Sequence, residues 1–522
     1  MALPTGPQPP SVVPFPPDSV APDPVAPDSV APDLVAPDSV APAPVALELE
    51  MPPASARQVA RLLGLKGRRG TPRRVVWHDG PDFELAARGL AVATLVPPGR
   101  GRGRPPRWRA MTLRRWIGAP QLPRGEAAEA ELLAEELPAD LRPVAAFAGN
   151  WRGLGGDGVV AEVLLGRLVA GEREEPCCRV RLAGPADDVA AAARRLAGAL
   201  PARAATTALA AEALALAGAV LPEPSAQVEM DEDAAEPTVG AAFARLFATL
   251  AATLVRLAPA VSPQDEEPVH QMRVAVRRLR SALRVFHRAV GGAALAEADG
   301  RLRALARLLA PARAWDVFLG TTGQALVAAL PDSPEVARLL AKAEHRRRRI
   351  YAALQARLAE PDFRLLGVDL AVLAAQQPWN APGEEAEARL ARPVRAFARH
   401  VLSRRLHPLE AAGRDLAGRP AAELHALRLG IKRFRYAAEF FAPLFPGREA
   451  RRMLRRLAEM QEALGRLQDG ASNAALLAEL KLGDGYAGGL VAGLTAAEAP
   501  RLRRDIVHAW RRLHRIAPFW RE

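Results

Sequence analysis

Val269-His270-Gln271-Met272-Arg273-Val274-Ala275-Val276-Arg277-Arg278-Leu279-Arg280 returns 155 residues later as Leu424-His425-Ala426-Leu427-Arg428-Leu429-Gly430-Ile431-Lys432-Arg433-Phe434-Arg435. Each stretch has a histidine followed by cations three, seven, eight and ten places on. Each also has apolar residues two, six and nine places on: Met272, Val276 and Leu279 against Leu427, Ile431 and Phe434. On a helix the first set lines one face and the second another. Both stretches therefore read as amphipathic helices with a basic stripe and a core stripe. The first stripe continues to Arg284, and no acid stands between Gln271 and Ala282. Its 270–284 span is about 21 Å at ~1.5 Å per residue, which suits a linear polyanion better than one small anion.

Charge across the chain agrees. The 522 residues carry a net charge of +13. Residues 1–56 hold seven acids and no base, leaving +20 on the remainder. Such an excess favours nucleic acid, acidic lipid or polyphosphate and does not choose among them. The two cysteines, Cys177 and Cys178, are adjacent. They form neither a disulfide framework nor a zinc spacing, which points to a reducing compartment. No apolar run of membrane-spanning length and no signal-peptide pattern is read, so a cytoplasmic protein without membrane insertion is expected.

Residues 1–45 repeat a Val-Ala-Pro-Asp pentad and read as a disordered acidic tail. Residues 46–205 read as mixed α and β. Strands are expected at Val45–Met51, Arg73–His78, Gly89–Val96 and Arg107–Arg114, with a hairpin of Val159–Val169 and Cys177–Leu182. Helices are expected at Ser55–Leu65, with Ser55 as N-cap, and at Pro185–Leu200. Residues 206–238 read as a linker with an acidic end. Beyond it every period is helical: 239–257, 268–290, 294–310, 334–359, 385–411, 419–441, 447–480 and 496–515. The spacing of the two histidines divides 239–520 into two related halves.

Residues 239–520 resemble the CHAD domain. The resemblance rests on Val269-His270-Gln271-Met272-Arg273 with Arg277-Arg278-Leu279-Arg280, and on His425 with Lys432-Arg433-Arg435-Tyr436. Ala314-Trp315-Asp316 and Leu467-Gln468-Asp469 complete it. It implies two pseudo-symmetric helical bundles meeting at a basic surface, and binding of inorganic polyphosphate rather than catalysis. The 46–205 region is similar to the CYTH fold, an antiparallel triphosphate-tunnel barrel. Leu47-Glu48-Leu49-Glu50, Trp77-His78-Asp79-Gly80-Pro81-Asp82-Phe83 with Leu85 and Gly89-Leu90, and Thr112-Leu113-Arg114 carry that likeness. The family's lysine position holds Pro52, its paired arginines are replaced by Ala93 and Leu95, and its later glutamates by Arg179 and Arg181. Glu48 and Glu50 are vestigial metal-ligand candidates. Without partner acids they assemble no metal site, so a degenerate, catalytically inactive domain is expected.

The expected fold is thus an α+β, CYTH-like N-terminal domain followed by an all-α CHAD-like domain. The expected polyanion-binding residues are His270, Arg273, Arg277, Arg278, Arg280, Arg284, His425, Arg428, Lys432, Arg433 and Arg435. Neighbouring guanidinium groups should keep the histidines neutral until an anion arrives. Asp316 and Asp469, 46 and 44 residues after their histidines, are expected to orient stripe cations. No cofactor is implied, and a storage-granule association is the expected setting. Two alternatives stay open. One is a CYTH-type phosphohydrolase. The other is nucleic-acid binding, supported by Arg102-Gly103-Arg104-Pro105, which resembles an AT-hook core. Gly153-Leu154-Gly155-Gly156-Asp157-Gly158 reads as a turn because a strand, not a helix, follows it. His345-Arg346-Arg347-Arg348-Arg349 reads as a solvated helix segment.

Overall fold

A computed structural model describes residues 45–522 apart from 68, 97–106, 114–116, 118–128, 133–136, 138–139, 157, 223–225, 229–235, 381–382, 484 and 522. The pentad tail before residue 45, the Arg102–Pro105 motif and most of the acidic linker end lie outside the described residues.

Among the described residues ten strands build one antiparallel sheet. They are β1 (Val45–Glu50), β2 (Lys66–Gly67), β3 (Thr71–Asp79), β4 (Leu90–Val96), β5 (Arg107–Thr112), β6 (Glu129–Leu132), β7 (Arg142–Gly155), β8 (Val160–Ala170), β9 (Arg173–Gly184) and β10 (Arg203–Ala204). Their order is β10-β1-β9-β8-β7-β3-β4-β5-β6, with β2 on β7. The two ends of that order do not pair, so the expected barrel is corrected to an open sheet among the described residues. Closure needs a matching register between first and last strands, which local sequence patterns do not encode. The expected hairpin is present as β8 and β9. Gly171 closes it at φ +59°, the left-handed conformation a two-residue turn demands. Strand β7 was not anticipated. It runs through Gly153 and Gly155, so the glycine motif is strand end rather than turn up to that point.

Fifteen α-helices accompany the sheet among the described residues. Four pack beside it: α1 (Ala56–Leu63), α2 (Glu84–Ala87), α3 (Ala186–Ala199) and α4 (Leu209–Ala217). Ser55 precedes α1, but its hydroxyl makes no capping bond. The rest are α5 (Val239–Leu257), α6 (Glu267–Phe286), α7 (Ala293–Val317), α8 (Gln324–Ala329), α9 (Pro334–Ala359), α10 (Pro361–Gln376), α11 (Glu384–Leu390), α12 (Val394–Ala412), α13 (Ala421–Phe441), α14 (Arg448–Glu479) and α15 (Tyr486–His514). The expected helix over 385–411 is two helices, because Pro393 fixes its own φ and supplies no N–H. Pro311 and Pro500 lie inside α7 and α15 without ending them.

Residues 43–522 form one compact unit, and α10 joins its parts. It packs on α3 and β1 on one side and on α5 and α7 on the other. Its Asp369 accepts from Arg194 of α3 at 2.6 Å and from Arg301 of α7. Helix α5 is the core of the helical part, with Phe243, Phe247, Leu250 and Leu254 buried. Thr238 caps it by accepting from the Ala241 N–H at 3.2 Å. With Ala258–Ala260 it is long and apolar enough to cross a membrane, and two-thirds (67 %) of that window is buried against the other elements. The apolar stripes of α6 and α13 enter the same core. Met272, Val276, Leu279 and Ile431 are fully buried, and Leu427 and Phe434 nearly so. Phe286 at the end of α6 contacts Phe441 at the end of α13, with centroids 5.8 Å apart. This seating fixes both helices in rotation and turns their basic stripes the same way.

Candidate functional site

The stripes meet at one carboxylate. Glu439 on α13 accepts from Arg278 of α6 at 2.8 Å and from Arg435 of its own helix at 2.7 Å. Arg280 is held in the same manner by Asp299 of α7, at 2.7 and 3.3 Å. The expectation that no acid neutralises the stripe therefore needs correction for Arg278, Arg280 and Arg435. Their acids arrive from other turns and other helices. These three arginines build the face instead of presenting charge on it.

A cluster without ion-paired acids remains between them. Arg273 and Arg277 of α6 face Arg428 and Lys432 of α13. Among the described residues none of the four has a carboxylate partner. Arg273 donates only to the Ala306 carbonyl, at 3.3 Å. Arg277 lies over the Tyr436 ring, 6.0 Å from its centroid. The Nε atoms of Arg277 and Arg428 and the Tyr436 hydroxyl are buried without a hydrogen-bond partner. Lys432 is the most perturbed cation: burial first, then Arg277, Arg428 and Arg273, push its amine down to about 7. Burial and its cationic neighbours Arg277 and Arg313 also push Arg273 down. His270 is lowered by burial and then by Arg313, so its expected neutrality has desolvation as the larger cause.

A second patch lies farther along both helices. Arg284 and Arg433 are exposed. Burial of part of the side chain and the charge of Arg280 push Arg284 down. Arg405 of α12 reaches between the helices, donating to the carbonyls of Arg433 at 3.2 Å and Arg284 at 3.5 Å. Burial, then Arg433 and Arg284, push Arg405 down as well. The two patches continue along one α6–α13 face, with the Glu439 bridge in the same region.

The orienting aspartates divide. Asp316 does not touch a stripe cation. It accepts from Arg347 Nε at 2.7 Å and from the Tyr351 hydroxyl at 2.9 Å. That corrects its expected role, and it also corrects the solvated reading of 345–349 at Arg347, whose side chain is 12 % exposed. Asp469 does lie in the field of Arg428, together with Arg466, although burial pushes its carboxyl up overall. His425 is exposed and its Nδ1 is 3.0 Å from Gln468 Oε1, next to Asp469. Sequence reasoning missed Arg313, Arg405 and the Glu439 bridge. Of these, Arg435 and Glu439 stand at i,i+4, a spacing legible on any helix.

In the sheet, Glu48 and Glu50 share one face of β1, opposite the buried Leu47 and Leu49. Their counter-charge is Arg179 of β9, which pairs directly across from Glu50. Its guanidinium is 3.6 Å from Glu48, 3.2 Å from Glu50 and hydrogen-bonded to Glu212 of α4. Burial opposes the charge of Arg179, but Glu212, Glu48 and Glu50 outweigh it and hold the group protonated. A fixed guanidinium thus sits among the acids that a metal would need. Among the described residues no three or more His, Cys, Asp or Glu side chains are grouped to hold a metal ion.

The CHAD domain family matches residues 244–478, a span that contains every residue of both basic patches. The chain carries a CHAD domain. The crystal structure of the CHAD domain from the plant Ricinus communis is similar to it at 28 % identity, covering 56 % of this chain and 96 % of that one with a TM-score of 0.46. PptA from Streptomyces chartreusis is similar at 20 % identity, covering 53 % and 99 % with a TM-score of 0.40. No curated protein matches the chain. The α6–α13 face lies wholly within the matched span.

Proposed function

We propose that the CHAD domain binds a linear polyanion, inorganic polyphosphate in the first place, along the α6–α13 face. One observation carries this reading: Arg273, Arg277, Arg428 and Lys432 crowd together, partly buried and without an ion pair, and the acid in their field, Asp469 beside Arg428, has its carboxyl pushed up by burial. Buried charge without a partner costs several kcal/mol, so an arrangement of this kind needs an anion to offset it. Charge-assisted bonds from fork-shaped guanidinium groups match phosphate oxygens. The patch at Arg284, Arg433 and Arg405 extends the track beyond the reach of a single phosphate. The association of the CHAD family with polyphosphate points to the same ligand. In this reading α6 and α13 hold the ligand together, and it is bound rather than turned over. Arg179 among Glu48, Glu50 and Glu212 supports an inactive sheet region.

The test is a competition between long-chain polyphosphate and duplex DNA at physiological salt. Polyphosphate is expected to displace DNA, with a salt slope of roughly −3 to −4 for about five neutralised phosphates. DNA winning that competition would make the stripe generic charge. Affinity should also fall as pH rises through about 7. In the free site Lys432 sheds its proton near that pH, and a bound polyanion restores it. Binding above pH 7 therefore takes up a proton, which costs at most tenfold in affinity per pH unit.

A further inference from the structure

Lys432 has a feature that polyanion binding alone does not require. Of the 71 basic residues only four are lysine: Lys66, Lys342, Lys432 and Lys481. Three are exposed and one, Lys432, stands inside the arginine cluster. Arg273, Arg277 and Arg428 are its charged neighbours, and among the described residues its amine has no acceptor. We propose that Lys432 is an acylation site for acyl phosphates, in which the surrounding arginines hold the phosphate and the amine attacks the adjoining carbonyl. This inference rests on the cluster being a phosphate site.

The chemistry balances without a further reactant. The Nζ lone pair forms a bond to the acyl carbon. The bond from that carbon to the bridging oxygen breaks, and its electrons leave with inorganic phosphate. The nitrogen loses one proton to solvent, and nothing is oxidised or reduced. Burial and cationic neighbours leave a large share of the amine unprotonated near pH 7, where an ordinary lysine is almost wholly charged. An acyl phosphate carries at most two negative charges, which the three guanidinium groups outweigh, so the amine is not drawn into its charged form as it is by a long polyanion. The guanidinium groups also stabilise the phosphate as it leaves. The product is a neutral amide at the centre of the cluster. Acylation would thereby weaken polyphosphate binding and make it respond to the supply of acyl phosphate.

The full chain should be incubated with acetyl phosphate at pH 7.5 and each lysine followed by peptide mass spectrometry. Lys432 is expected to be acetylated at least tenfold faster than Lys66, Lys342 or Lys481. Arg277→Gln should erase most of that preference, and acetyl-CoA, whose reacting carbonyl bears no phosphate, should show little. Equal rates at all four lysines would overturn the proposal, as would a preference that survives Arg277→Gln. Polyphosphate affinity is measured separately on the unmodified chain. Tight binding with unselective acetylation defeats this inference alone. Selective acetylation that polyphosphate fails to block supports it and defeats the polyphosphate reading.

Discussion

Changing Arg277 and Arg428 together to glutamate is expected to weaken polyphosphate binding by at least 100-fold while leaving the protein folded. Each arginine stands to make charge-assisted bonds worth about 1.5–3 kcal/mol, and reversal adds repulsion against the ligand. Two such losses exceed the ~2.7 kcal/mol that corresponds to 100-fold. The effect on the free protein should have the opposite sign. Both arginines now crowd Lys432, and both have a buried Nε without a partner. Glutamates there would meet Lys432 and Arg273 as ion-pair partners, so the free protein should gain about 1 kcal/mol in a denaturant melt. A useful control carries the same charge change elsewhere, Arg338→Glu with Arg504→Glu, two exposed arginines outside both patches. Equal loss of affinity in the control would reduce the site to overall charge.

Asp316→Ala should do the reverse: a large stability loss with little change in affinity. The carboxylate is fully buried and accepts from Arg347 and Tyr351. Burial pushes its carboxyl up, against the pull of those two hydrogen bonds. Removing it leaves the Tyr351 hydroxyl unpaired. It leaves Arg347 with Glu344, 3.3 Å away and a third exposed at 34 %, and with the Pro263 carbonyl at 2.9 Å. Breaking a buried pair costs about 3–5 kcal/mol, and the remaining partners of Arg347 put this case near the lower end. Asp316→Asn, which keeps one acceptor, should lie between. Polyphosphate affinity at low temperature should move by less than threefold. An affinity loss as large as that of the stripe variants, without destabilisation, would restore the orienting role first read for Asp316.

These two contrasting residues mark what was legible in the sequence. Periodicity identified the apolar and basic faces of α6 and α13, because a core seat imposes a 3.6-residue repeat on any helix. The acids that sort the stripe were harder. Asp299 reaches Arg280 from another helix, and Glu439 reaches Arg278 across 161 positions. Asp316 fell beyond the expected 294–310 helix, which runs on to Val317, and its distance from His270 says nothing about which side of α7 it occupies. Helix α10 lies outside the expected helices because it begins at Pro361, although proline is favoured in a first helical turn. Strand β7 escaped because its alanines and glycines lack the β-branched signature. The exchange of glutamate for arginine at residue 179 was legible as a reversed sign. Its consequence, a counter-charge between Glu48, Glu50 and Glu212, required the β1–β9 register.

The central claim is that Lys432 lies in a cation cluster without ion pairs, built for a polyanion. With only four lysines in the chain, selective ¹³Cε-lysine labelling makes this amine directly observable by NMR. Its titration should be followed in the free protein and with polyphosphate bound. The account predicts a midpoint near 7 in the free protein and a rise of at least about one unit on binding. A midpoint at the ordinary ~10.4 in the free protein, or one that polyphosphate does not move, would contradict it.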